Sequence, residues 1–153
     1  GIRDKLVTGV QTCALPISIV PNPTDDRLLI YDIDPDTLPQ NTLNPVDSII
    51  NPLTSGPNAG LPGPVNGRRY LIVENVGGSA STVAWGNLVA NANDIIQYNG
   101  GTGQWYVAFD STNTTTVEYV TNLTTNVQYR YTQGLWVKSY EGWYDQGDYS
   151  IVI

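Results

Sequence analysis

Three aspartates at alternate positions, Asp32-Ile33-Asp34-Pro35-Asp36, are the part of this chain whose spacing most resembles a metal site. Alternate carboxylates on an extended chain can converge on one hard cation, as they do at the start of a helix-loop-helix calcium loop. The rest of that loop is missing. Its sixth and twelfth places, which call for glycine and a bidentate glutamate, hold Thr37 and Leu43. Asp32, Asp34 and Asp36 are therefore a calcium candidate with turn-capping in solvent as the competing role, and no cofactor is expected.

Acid-base chemistry has fewer supports. Asp94, Asp110, Glu118 and Glu141 are carboxylates that a glycosidase could pair, yet that reaction needs two of them at a defined separation, which linear spacing does not supply. Histidine is absent from the sequence, which removes His-based triads, His general acid-base catalysis and His-ligated zinc. No serine sits in a Gly-x-Ser-x-Gly elbow, and no lysine follows the glycines at Gly100–Gly103 as a phosphate loop requires. The expectation is a protein that is not an enzyme. Asn113-Thr114-Thr115 and Asn122-Leu123-Thr124 are formal glycosylation acceptors, relevant only in a eukaryotic secretory pathway.

Aromatic side chains are the other functional resource. Four tryptophans (Trp85, Trp105, Trp136, Trp143) and ten tyrosines could stack on sugar rings or fill a β core. In an alternating strand such as Gln104–Phe109, Trp105 and Tyr106 must point to opposite faces, so some rings are structural. Glu141-Gly142-Trp143-Tyr144 lies between two expected strands. Trp143, Tyr144 and Trp85 are accordingly the candidates for contact with a partner protein or a glycan.

The elements that position these groups follow from composition. A chain of 153 residues, 41% hydrophobic and 14% charged, fits one domain with a buried core. Its apolar runs fall far short of the roughly 20 residues needed to span a bilayer. The net charge of −7 opposes nucleic acid as a partner.

From Ile19 to Asn66 the chain carries nine prolines among many Asn, Asp and Gly residues, a density that disfavours helix and central strand alike. Residues 18–66 are thus expected to be an extended Pro-rich arm with one short strand at Arg27–Asp32. Leu28, Leu29, Ile30, Ile49 and Ile50 favour docking of that arm over a free linker.

After Gly67 no proline remains, and β-branched and aromatic residues alternate between Gly/Asn turns. Strands are expected at Arg69–Glu74, Thr82–Trp85, Asp94–Tyr98, Gln104–Phe109, Thr116–Thr121, Val127–Tyr131, Leu135–Tyr140 and Tyr149–Ile153, with at most one helical turn at Leu88–Asp94. Turns are expected at Asn99–Gly103 and Thr132–Gly134. The fold class is all-β, an antiparallel sandwich or small barrel over residues 67–153. The segments IIQYNGGTGQWYVAF and VQYRYTQGLWVKSY echo one another: aromatic strand, glycine turn, tryptophan, strand. Two copies express shared hairpin geometry and do not make a repeat.

Residues 1–17 have a different character. Val7–Ile17, VTGVQTCALPI, resembles codon by codon the translation of a common sequencing-adapter oligonucleotide, and Gly1–Asp4 resembles its upstream bases. The segment is set aside as adapter-derived. Cys13 goes with it, and so do Arg3, Asp4 and Lys5, which leaves five basic and thirteen acidic residues. The native product is then expected to extend further at its N-terminus.

Beyond Gly67, the stretches GRRYLIVENVGG, WGNLVANANDIIQYNG, QWYVAF, EYVTNLTT and WVKSYEGWY resemble virion structural proteins of T-even-type tailed phages, notably those of marine cyanobacteria. RLLIYDIDPDTLPQNTLNPV in the arm belongs with them. The resemblance implies a non-enzymatic module of neck, tail or baseplate, located in the virion. It would contact other virion proteins or itself, without nucleic acid or membrane, and no functional residues transfer. The alternative is a secreted or receptor-binding carbohydrate-binding module acting outside the cell.

Overall fold

The computed structural model describes residues 17–33, 38–78 and 83–139. The chain divides into two compact units, Gly1–Pro39 and Gln40–Ile153. In chain order the elements are β1 (Ile17–Pro21), β2 (Leu29–Ile33), β3 (Ser48–Ile50), β4 (Gly56–Pro57), β5 (Gly60–Leu61), β6 (Arg69–Ile72), a 3-10 turn (Val83–Trp85), β7 (Ile95–Asn99), β8 (Gln104–Phe109), β9 (Glu118–Asn122), β10 (Val127–Thr132) and β11 (Leu135–Lys138). The protein is all-β and sandwich-like.

In the first unit, β1 and β2 form an antiparallel hairpin running from Ile17 opposite Ile33 to Pro21 opposite Leu29. Asn22 Oδ1 accepts from the Thr24 and Asp25 amides, and the Asp25 carboxylate takes the Arg27 guanidinium at 2.9 Å. Strand β2 agrees with the expected Arg27–Asp32. Strand β1 was hidden by Pro21 and Pro23, but Pro21 stands at the end of the ladder, where a missing N–H does little harm.

In the second unit a four-stranded sheet, ordered β3-β6-β7-β8, lies in the same core as a three-stranded sheet ordered β11-β10-β9. Every residue of β6 is buried because its sheet is covered on both faces. Leu71, Ile95 and Phe109 pack with Val46, Val120 and Tyr131, whereas Tyr70, Ile72, Ile96 and Trp105 pack with Trp85, Leu88 and Val76 from the connecting segments.

Simple alternation would put Trp105, Val107 and Phe109 on one face. The register slips between β7 and β8, with Ile95 opposite Phe109 but Ile96 opposite Val107. Ala108 is thus the extra residue of a bulge, which turns Phe109 toward the other sheet. Its ring sits 5.0 Å from that of Tyr131.

The expected boundary at residue 66/67 falls inside this unit. Residues 42–46 run beside β9: the Thr42 and Leu43 amides donate to Tyr119 O, Val46 N to Thr121 O and Leu123 N to Val46 O. The chain then crosses to the other sheet, where β3 pairs with β6 in parallel, an exception to the antiparallel expectation. Val46 is fully buried at the crossing. The prolines of this segment sit between its pairing residues, so the Ile49–Ile50 part of the arm docks.

One local expectation fails. Val83–Trp85 is a 3-10 turn where a strand was expected, because Trp85 is drawn into the core and Gly86, at φ 63°, redirects the chain. Leu88–Asp94, where at most one helical turn was expected, holds no helix and only the turn closed by Asp94 N donating to Asn91 O. Ala90 and Val76 exchange backbone hydrogen bonds, and the Asn91 amide donates to the Asp94 side chain. The expected strand at Tyr149–Ile153 and residues 1–16 lie outside the described residues.

Candidate functional site

Three of the four carboxylates considered for catalysis are described, and each accepts hydrogen bonds from nearby groups. Asp94, 1% exposed, accepts from the Asn91 amide at 2.8 Å, from the Ser111 amide at 2.8 Å and from the Ser111 hydroxyl at 2.7 Å. Tyr131 donates its phenol to Ser111 O and extends this network into the core. Asp110 closes a surface turn by accepting from Thr112 and Asn113, and those hydrogen bonds hold its carboxyl below the ordinary aspartate value. Glu118 accepts from the Thr116 hydroxyl. Glu141 lies outside the described residues.

The backbone of Asp32 lies within β2, while Asp34 and Asp36 lie outside the described residues, as do Trp143 and Tyr144. Among the described residues no group of three or more His, Cys, Asp or Glu side chains is placed to hold a metal ion.

Trp85 is not the surface ring that its place among the contact candidates required. It is 2% exposed, its indole N–H donates to Pro52 O at 2.8 Å, and its ring meets Trp105 edge-on at 5.0 Å. The sequence marked it as aromatic and flanked by glycine. Its burial among Tyr70, Ile96 and Trp105 and its bond to Pro52, 33 residues away, are long-range contacts that local pattern does not reveal.

Trp85 and Trp105 form the inner wall of a cleft of about 460 Å³. Its remaining lining comes from three connections: Pro57, Asn58 and Pro64 before β6, Ala84 to Leu88 around the 3-10 turn, and Tyr98, Gly103 and Gln104 at the β7–β8 hairpin. Trp105 stacks on Tyr70 at 5.6 Å and meets Tyr98 at 5.3 Å, so its faces are largely occupied. Tyr98 is only half-buried. No Asp, Glu, Lys or Arg contributes to the described lining.

A second surface is the outer side of β8, the terminal strand of its sheet, where Tyr106 is 43% exposed. Tyr106 shares a sheet face with Gln97 and Arg69, whose guanidinium donates to Gln97 at 2.6 Å. Burial lowers the Arg69 pKa from its ordinary value, and Tyr106 and Asp47 oppose that shift.

Fold and surfaces together define a small all-β module with an uncharged cleft and an open strand edge. Comparison with protein-family models, curated proteins and solved structures finds no match to this chain.

Proposed function

We propose that this chain is a non-enzymatic structural module of a tailed-phage particle, at neck, tail or baseplate, and that it acts through protein-protein contacts, including contacts between its own copies. The observation that carries this reading is the outer edge of β8. Among the described residues no strand pairs with it, and Tyr106 stands exposed along it. An open edge offers a row of backbone donors and acceptors to which another chain can add a strand, and neighbouring side chains give such pairing its specificity. The virion context rests on the resemblance of residues 67–153 to phage structural proteins.

Size-exclusion chromatography with light scattering on the 153-residue chain tests the self-association. The expected result is a mass that rises with concentration and reverts to monomer in Tyr106→Lys, which places a charge on the edge. A monomer at every concentration would show that the edge does not bring copies together.

A further inference from the structure

The cleft beside Trp105 is built from groups that the fold leaves uncommitted. Several asparagine side chains of the second unit serve the backbone or other side chains: Asn51, Asn66, Asn75, Asn99 and Asn122 accept from amides, and Asn41 bridges Thr121 and Gln128. The cleft's Asn58, Asn87 and Gln104 make no such bond among the described residues, and neither does the Tyr98 phenol or the Trp105 indole N–H.

None of these groups is sealed. The enclosed side-chain nitrogens or oxygens without partners among the described residues are Arg69 Nε and Arg130 Nε. Trp105 is nearly buried, so its unpaired N–H must reach solvent, and the cleft is the opening that Trp105 lines.

We propose that this cleft binds a neutral sugar, a pyranose unit of a larger glycan. Its volume falls within the range of small-ligand pockets, roughly 300–1,000 Å³. The chemistry of the lining narrows the choice. Amides, a phenol and an indole N–H suit a ligand rich in hydroxyls, and the half-buried Tyr98 ring can take the apolar face of a pyranose.

An anionic ligand would find no cation in the described lining. A nucleic-acid base would bring a phosphate backbone toward a chain of net charge −7. A proline-rich peptide is the competing occupant, since such segments dock in aromatic grooves, but it would leave most of the amide groups unused.

The test begins with an array of neutral, sulfated and sialylated oligosaccharides probed with the full chain. The neutral oligosaccharide giving the highest signal is then titrated by tryptophan fluorescence. Asn87→Ala and Gln104→Ala remove amides from exposed positions, and Asn58→Gly removes a third while tolerating the local φ of 60°.

The expected result is saturable binding of a neutral glycan, weakened at least tenfold in the triple variant, with unchanged circular dichroism and unfolding midpoint. Absence of binding to every neutral glycan at millimolar concentration would overturn the proposal. So would binding that survives the triple variant, binding confined to charged glycans, or competition for the cleft by a proline-rich peptide alone. If the triple variant unfolds, the single Gln104→Ala variant decides the matter, because Gln104 is exposed.

Discussion

Trp105 stands directly across the β7–β8 ladder from Tyr98, the two rings 5.3 Å apart and inclined at 56°. Trp136 stands in the same relation to Tyr131 across β10–β11, at 5.1 Å and 53°. The two hairpins use one device in different sheets. A tryptophan just after the turn packs on the tyrosine that precedes it, which fixes the register while one ring of each pair is buried in the core and the other packs against it.

The tryptophans differ in what their N–H groups do, and this separates their variants. Truncation to alanine should cost about 3–5 kcal/mol at Trp85 or Trp105, as expected for large buried aromatics. Replacement by phenylalanine keeps much of the packing. In Trp85→Phe and Trp136→Phe it also strips the donor from Pro52 O and Asn93 O respectively, adding about 1–2 kcal/mol. Trp105→Phe loses no protein hydrogen bond and should be the mildest of the three in urea unfolding.

Gly77 and Gly134 both adopt positive φ, at 101° and 83°, yet they should respond differently to alanine. A Cβ at Gly77 would lie 2.7 Å from Leu88 O and 2.8 Å from Val89 Cα, both backbone atoms that cannot swing aside, whereas at Gly134 it would meet nothing within 4 Å. Gly134→Ala should therefore cost roughly 1 kcal/mol through conformation alone. Gly77→Ala should cost roughly 3 kcal/mol through conformation and overlap together, or force the 75–78 loop apart. Thermal unfolding of the two variants checks the order.

These variants bear on how much of the structure was legible in the sequence. The hairpins were, because alternation and glycine turns are local signals: Gln104–Phe109 has its expected bounds, and Gln133 and Gly134 both take the positive φ of a tight two-residue turn. Strand β3 was not, since three residues between prolines carry no period, and its partner Tyr70 is 22 residues from Ser48. The bulge at Ala108 was equally silent, as was the burial of Trp85. The cleft could not be anticipated because it is assembled from three separate connections.

Tyr131 gives the fold a weakness at alkaline pH. Burial, reinforced by the Asp94 and Asp110 side chains, raises its pKa above the ordinary 10.0. A phenol held protonated in the folded state contributes stability that is fully present below pH 10.0. That contribution is lost as pH rises from there through the folded value, because the unfolded phenol ionises first. Tyr70 is raised chiefly by burial and adds a similar loss. Urea midpoints should fall above pH 10.0, and Tyr131→Phe should flatten part of that fall. The variant should start less stable at neutral pH, since Ser111 O loses its donor. A Tyr131→Phe profile parallel to that of the parent would rule out this origin.

Asp94 ties the turn before β7 to the segment after β8. Its two oxygens receive the Asn91 amide, the Ser111 amide and the Ser111 hydroxyl. Asp94→Asn has the same shape but can accept on one atom only, so its NH₂ must confront either Asn91 N–H or the Ser111 pair. The expected cost is about 2 kcal/mol. Asp94→Ala strands all three donors and should cost about 3–5 kcal/mol, whereas Ser111→Ala removes one donor, keeps the amide bond and should cost about 1 kcal/mol. Because the Ser111 hydroxyl acts only through Asp94 and the 3.2 Å bond to Ala92 O, the Asp94→Asn/Ser111→Ala double variant should be less destabilised than the sum of its parts. Strict additivity in urea unfolding would mean that the two side chains do not act as one unit.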